Sequence, residues 1–199
     1  MRVEYFCGVL GDLTGQRLLE IGCGGGLMAE EYARRGASLA AVDRSAASIA
    51  IAARHARASG LKIAYAPSVG ERLPFTSGSF DAVVSADTLE HVDDVDLVVS
   101  ESARVLRPGG VLAMSFDVCD SNHGVPMTFP ASNGHAMTLA EFERDVWSHE
   151  AFGQFSPIAW NIADMAPFHE WHKATAPHHN YVVAAAVLTR TGQRSEPSR

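Results

Sequence analysis

Cysteine is scarce in this chain, positive charge is in deficit, and long apolar runs are missing. The three cysteines among 199 residues, Cys7, Cys23 and Cys119, form no CxxC pair and leave one thiol over from any pairing. That argues against a disulfide scaffold and against a thiolate zinc site, and it points to a reducing compartment. Sixteen Lys and Arg stand against 23 Asp and Glu, for a formal net charge of −7. The pair Arg34-Arg35 is no cluster, so a phosphate-gripping nucleic-acid face is not expected. Residues Met1 to Gly11 lack the apolar core of a signal peptide, and no stretch is apolar enough to span a bilayer. A cytoplasmic protein with no membrane partner is expected.

What remains is an ordinary globular composition, 47% hydrophobic and 20% charged, in a length that suits one domain. Residues 1–190 read as that domain. Within it, 1–116 form a core, 117–180 cover a substrate, and the polar stretch 191–199 forms a disordered tail. About sixteen residues precede the first strand, so closure of a pocket is expected from 117–180, from a partner subunit, for which a homodimer is one way, or from a larger substrate.

The first half alternates strand and helix patterns. Short apolar strands are expected at 17–22, 38–43, 61–66, 80–86 and 111–116. Helices are expected over Leu27 to Arg35, from a Ser45 cap to Ser59-Gly60, and over Val92 to Leu106, where Val95, Val98, Val99, Ala103 and Leu106 share a face. Strands separated by helices imply a doubly wound, mostly parallel sheet covered on both faces. In the second half, Thr138 to His149 and Ile162 to Ala174 read as helices of a small cap, and Tyr181 to Leu188 reads as a final strand.

The sharpest motif is Glu20-Ile21-Gly22-Cys23-Gly24-Gly25-Gly26. It leaves the first strand at the sheet edge where open α/β sheets bind ligands. Glycines admit positive φ and close backbone approach, and the helix that follows offers free N–H donors. A dinucleotide fingerprint would need Gly or Ala where Leu27 stands, so that reading fails. Glu20 suits a ligand that carries an ammonium group. Asp43, 19 residues after Gly24, ends the second strand and can accept hydrogen bonds from both hydroxyls of a ribose; capping the strand-to-helix turn is its structural alternative.

Taken with Leu73-Pro74-Phe75, Gly78-Ser79-Phe80-Asp81, Leu89-Glu90-His91-Val92 and Arg104 to Gly110, the chain resembles the class I S-adenosylmethionine-dependent methyltransferases, in their small-molecule subgroup. The resemblance covers residues 17 to 116, about half of the chain. It implies a seven-stranded sheet in the order 3-2-1-4-5-7-6 with the 181–189 strand antiparallel. It also implies S-adenosylmethionine as cofactor, with S-adenosylhomocysteine as its product. Gly22 and Gly24 would line the methionine and ribose portions, Glu20 would act near the amino group, Asp43 would hold the ribose, and Arg44 would flank the adenine. Ser85, Ala86 and Asp87 would pass beneath the methionine end. The loop after the third strand, with Val69 and Gly70, would meet the adenine. Many relatives carry Asp where this chain has Val69, so the adenine contact here departs from the family.

A hydroxyl acceptor needs a base, and His91, just past the fourth strand, is the candidate; its alternative is a backbone-bonding residue of a helix start. Asp87, Glu90 and His91 fall at i, i+3 and i+4, which on a helix would place three metal ligands on one face. The metal-free reading is preferred, and Asp93, Asp94 and Asp96 read as charges at a helix N-terminus. Aromatic and histidine residues crowd 117–180, among them Trp147, Phe155, Trp160, Phe168, His169, Trp171 and His172. Most read as packing of the cap. The expected activity is O-methylation of a small hydroxylated metabolite, with an amino acceptor next. The rivals are a non-catalytic subunit that binds the cofactor, and an enzyme of this fold for cyclisation or isomerisation.

Overall fold

Short apolar runs such as Leu18-Leu19-Glu20-Ile21 and Ala40-Ala41-Val42 have no polar face to give to water, so they belong in a sheet covered on both sides. The computed structural model describes residues 2–119, 137–138, 150–161 and 181–191. Its elements are α1 (Arg2–Leu10), β1 (Arg17–Ile21), α2 (Leu27–Arg34), β2 (Ser38–Asp43), α3 (Ala46–Ala58), β3 (Ile63–Pro67), β4 (Phe80–Ala86), α4 (Val95–Val105), β5 (Leu106–Cys119), β6 (Met137–Thr138), β7 (Phe155–Asn161) and β8 (Tyr181–Arg190). Single 3-10 turns occupy Leu89–His91 and Glu150–Gln154.

The strands run in the order β3-β2-β1-β4-β5-β8-β7, and the two-residue β6 pairs with the end of β5. Leaving β6 aside, this is the expected seven-strand order. Strands β1 to β5 are parallel, while β8 runs antiparallel to both β5 and β7. The seven-strand order implied a strand between β5 and the last one, but its place in the chain was not foreseen: it is β7, inside the stretch expected to cover a substrate, of which 117–119 extend β5 and 155–161 are the outer strand of the sheet. Pro157 explains both the missed reading and the position. Proline cannot donate to a ladder, and it is tolerated on edge strands and at bulges; the register with β8 shifts between Pro157 and Ala159. The expected helices over 138–149 and 162–174 lie outside the described residues, apart from Thr138 at the end of β6.

Alternation sorts the side chains into two cores. Leu19, Ile21, Val42 and Val83 pack with Val98, Val99 and Ala103 of α4 and with Phe152 and Phe155. Leu18, Ala41, Ala82 and Val84 pack on the other face with Phe6, Ala29, Tyr32 and Ile49 of the first three helices. Helix α1 was also not foreseen, although Val3, Phe6, Cys7 and Leu10 stand at helical spacing and all join that core.

Two local devices fix the loops that matter below. Ser45 caps α3 by accepting the Ser48 N–H, and Asp94 caps α4 by accepting the Leu97 N–H. Arg104 of α4 donates to the carbonyls of Leu73 and Phe75 and pairs with Glu101, whose second oxygen accepts the Leu73 N–H. Leu73-Pro74-Phe75 is thereby strapped onto α4, with the Phe75 ring edge-on to Phe80 at 5.0 Å.

Candidate active site

Because β1 to β4 are parallel, the loops leaving their carboxyl ends meet at one edge of the sheet. The glycine loop is pinned there by its neighbour β2. The N–H groups of Gly22 and Cys23 both donate to the Val42 carbonyl, at 2.8 and 3.0 Å. Asp43 ties the next step. One carboxylate oxygen accepts the Gly24 N–H at 2.8 Å, and the other accepts the Ser45 N–H at 2.8 Å. These contacts make Asp43 a brace of the strand-to-helix turn, and each oxygen has acceptor capacity beyond them.

The glycines differ in their work. Gly22 has φ 77°, and a Cβ on it would run into the side chain of Thr88. It is glycine because β4's exit loop packs against it. Gly24 has φ 49° and open space where a Cβ would sit, which leaves its backbone free to be approached.

Below the loop lies Glu20, 2% exposed, with Oε2 buried and without a hydrogen-bond partner among the described residues. Burial, reinforced by the charge of Asp43, pushes its carboxyl up to about 8. The phenols of Tyr32 and Tyr65 are raised by burial and then by nearby negative charge that includes Glu20. The Cys23 thiol is pushed up to about 12 by burial and by Glu20 and Asp43, so it stays protonated and inert. A second buried carboxylate shows the contrast. Burial alone would raise Glu30, yet hydrogen bonds from His55 at 2.5 Å and Arg34 at 2.7 Å bring it below its ordinary value. Among the described residues Glu20 has no such cation.

A cavity of about 210 Å³ opens beside this loop. It brings together the expected Gly22, Asp43, Arg44, Val69, Gly70, Asp87 and His91, and adds Ile21, Ser68, Glu71, Thr88, Val92 and Asp93. Glu20, Gly24, Ser85 and Ala86 are not among its lining residues; Ser85 is 2% exposed inside the sheet, with its hydroxyl oxygen buried and without a partner among the described residues. Asp87 has φ 46°, an uncommon conformation for a residue with a side chain. Ser115 of β5 holds it there, accepting the Asp87 N–H at 2.8 Å and donating its hydroxyl to Oδ1 at 2.9 Å.

The idea of Asp87, Glu90 and His91 on one helical face is corrected. Leu89–His91 is a single 3-10 turn, and Asp87 is turned to Ser115. Among the described residues no three His, Cys, Asp or Glu gather closely enough to hold a metal ion. His91 stands exposed at the cavity rim, its main-chain N–H donating to the Thr88 carbonyl at 2.9 Å. Glu71 and Thr88 escaped the sequence reading. Thr88 follows Asp87 directly, so the loop signal already used would have found it, whereas Glu71 is one acid in a polar loop and carries no such signal in sequence.

Comparison with known proteins decides the family. Residues 19–114 match the model of a methyltransferase domain. The chain belongs to the class I S-adenosylmethionine-dependent methyltransferases. Over 100 residues it is 44% identical to a ubiquinone biosynthesis O-methyltransferase of Agrobacterium fabrum, a match that spans 50% of this chain and 40% of that protein. A protein of the same description from Alkalilimnicola ehrlichii is 40% identical over 162 residues, 76% of this chain and 66% of that one. In fold the chain is similar to geranyl diphosphate C-methyltransferase from Streptomyces coelicolor, solved with S-adenosyl-L-homocysteine, at a TM-score of 0.76 and 19% identity over 96% of this chain and 80% of that one. Among the described residues no helix of this chain is long and apolar enough to cross a membrane.

Proposed function

We propose that this chain binds S-adenosylmethionine at the carboxyl edge of the sheet and methylates an oxygen of a small hydroxylated metabolite in the cytoplasm. The observation that carries the reading is the buried Glu20 carboxyl, without a cation among the described residues, set under a glycine loop whose next anchor is Asp43. A buried acid without a counter-charge is costly and suits a site that receives an ammonium group. Asp43 at the cavity wall offers an acceptor for vicinal hydroxyls, and the left-handed Asp87 closes the methionine side. When bound, the cofactor supplies an electrophilic methyl group on a sulfonium.

The chain's own residues then have modest tasks. They hold the acceptor oxygen in line with the methyl carbon and exclude water. His91, exposed at the rim, takes the hydroxyl proton of the acceptor as the new carbon–oxygen bond forms. The O-methyltransferase description of the relatives at 44% and 40% identity supports oxygen as the acceptor atom.

The test is transfer of labelled methyl from S-adenosylmethionine to phenols, catechols and amines by the purified full chain. Labelled ether formed in step with S-adenosylhomocysteine is expected. Cofactor binding without transfer to any hydroxylated acceptor would favour a non-catalytic or cyclising role. His91→Ala should bind cofactor as the parent does and lose about 100-fold in turnover; equal turnover across pH would remove His91 from the chemistry.

A further inference from the structure

We propose that binding of the cofactor expels a proton: Glu20 is uncharged in the ligand-free chain, and the arriving ammonium group turns it into a carboxylate. The inference rests on the cofactor reading above and adds a proton to its binding equilibrium.

The setting of Glu20 offers nothing to a negative charge. On β1 it lies between two strands, and the residues level with it are Ala41 of β2 and Val84 of β4, both fully buried. Alternation sends its side chain to the face where Leu18 meets Phe6, Ala29 and Tyr32. Its Oε2 is buried and accepts no hydrogen bond among the described residues. The ionisable groups around it are acids. Asp43 ends β2, and the Cys23 thiol, the Tyr32 phenol of α2 and the Tyr65 phenol of β3 are each raised by burial and by charge that includes Glu20. The cations of the neighbouring helices are committed elsewhere. His55 of α3 and Arg34 of α2 meet Glu30, while Arg35 meets Glu31 and Glu4 of α1. Arg44, the one guanidinium lining the cavity among the described residues, is exposed. A carboxylate taken out of water with neither cation nor donor is less stable than the carboxylic acid. The shift of Glu20 to about 8 agrees with that geometry. A ligand ammonium reverses the balance. As it arrives the Glu20 O–H bond breaks, the electron pair stays on oxygen, and the proton leaves to solvent. Affinity therefore rises with pH until the ligand-free chain has itself lost the proton, and then levels off.

The test is calorimetry of the full chain near neutral pH in buffers of different ionisation enthalpy, where the dependence of the heat on buffer counts the protons released. Two ligands are compared: S-adenosylhomocysteine, and 5′-methylthioadenosine, which keeps base, ribose and thioether but has no amino acid portion. S-adenosylhomocysteine should release about one proton, and its affinity should rise by roughly tens of fold between about pH 6 and 8. Methylthioadenosine should release none, and so should S-adenosylhomocysteine on Glu20→Gln. A heat for S-adenosylhomocysteine that is the same in every buffer overturns the proposal and leaves the cofactor reading standing. So does an equal release with methylthioadenosine, or a release that persists in Glu20→Gln. The parent chain decides the matter even if the variant fails to fold. Should S-adenosylhomocysteine not bind the parent chain at all, the cofactor reading falls and this proposal with it.

Discussion

The two edges of the sheet treat their carboxylates in opposite ways. At the amino edge, Asp81 accepts the Arg17 N–H at 2.9 Å, both ends of the Arg17 guanidinium at 3.2 Å, and Arg107 at 2.7 Å. Arg17's hydrogen bonds, aided by those of Arg107, hold the Asp81 carboxyl well below the usual carboxylate range. At the carboxyl edge, among the described residues, Asp43 takes only neutral backbone N–H groups, and Glu20 keeps a buried oxygen with no donor. One edge is complete in itself and secures β1, β4 and β5. The other leaves negative charge and acceptor capacity unspent, which is what a site for a cationic nucleoside requires.

The hardest blow to this contrast falls on the glycine loop. Gly22→Ala should cost about 2–4 kcal/mol of stability, because a left-handed φ and a collision with Thr88 add. Gly24→Ala, with open space around it, should cost only about 1–2 kcal/mol. Denaturant unfolding separates them, and equal losses would remove the packing role given to Gly22. Next comes Asp43→Ala, expected to weaken S-adenosylmethionine binding by about 1–3 kcal/mol by calorimetry. An unchanged Kd would show that no ribose reaches it. Asp81→Ala sharpens the comparison from the other edge: about 1–2 kcal/mol less stable, with an unaltered cofactor Kd.

The smallest effect is a difference in pH dependence, with opposite signs at the two edges. Glu20 has its pKa raised from 4.5 to about 8 on folding. Its favourable contribution is complete below the unfolded value and drains away as pH rises to and through 8. Asp81 is lowered from 3.8, so its contribution is present above that value and is lost as pH falls below it. Melting temperatures of the parent chain and Glu20→Gln should diverge between about pH 5 and 9, with the parent falling behind at the alkaline end. Parallel curves would mean that Glu20 finds a partner in solution.

Much of the carboxyl edge was legible because backbone demands are written in residue type. Gly22 to Gly26, Asp43 at a strand end and the cap Ser45 each stand where the backbone turns, and residue type alone marks them. The order of strands needed the family resemblance, since periodicity alone does not say which strands pair. Helix α1 carried its signal in Val3, Phe6, Cys7 and Leu10 but is only nine residues long, and β7 was hidden by Pro157. Within the site, Glu20 and Asp43 could be singled out by charge against an apolar background. Glu71 could not, because an acid in a polar loop is unremarkable until the loop before α4 donates to it. Ser85 reads as a site residue in sequence yet is buried in the sheet, which only the strand register reveals.

A crystal structure of the chain with S-adenosylhomocysteine tests the central claim most directly. Both ribose hydroxyls should lie within about 3 Å of the Asp43 carboxylate, with the amino group over the glycine loop on the Glu20 side. A nucleoside seated elsewhere, or a ribose beyond hydrogen-bond reach of Asp43, would contradict the account.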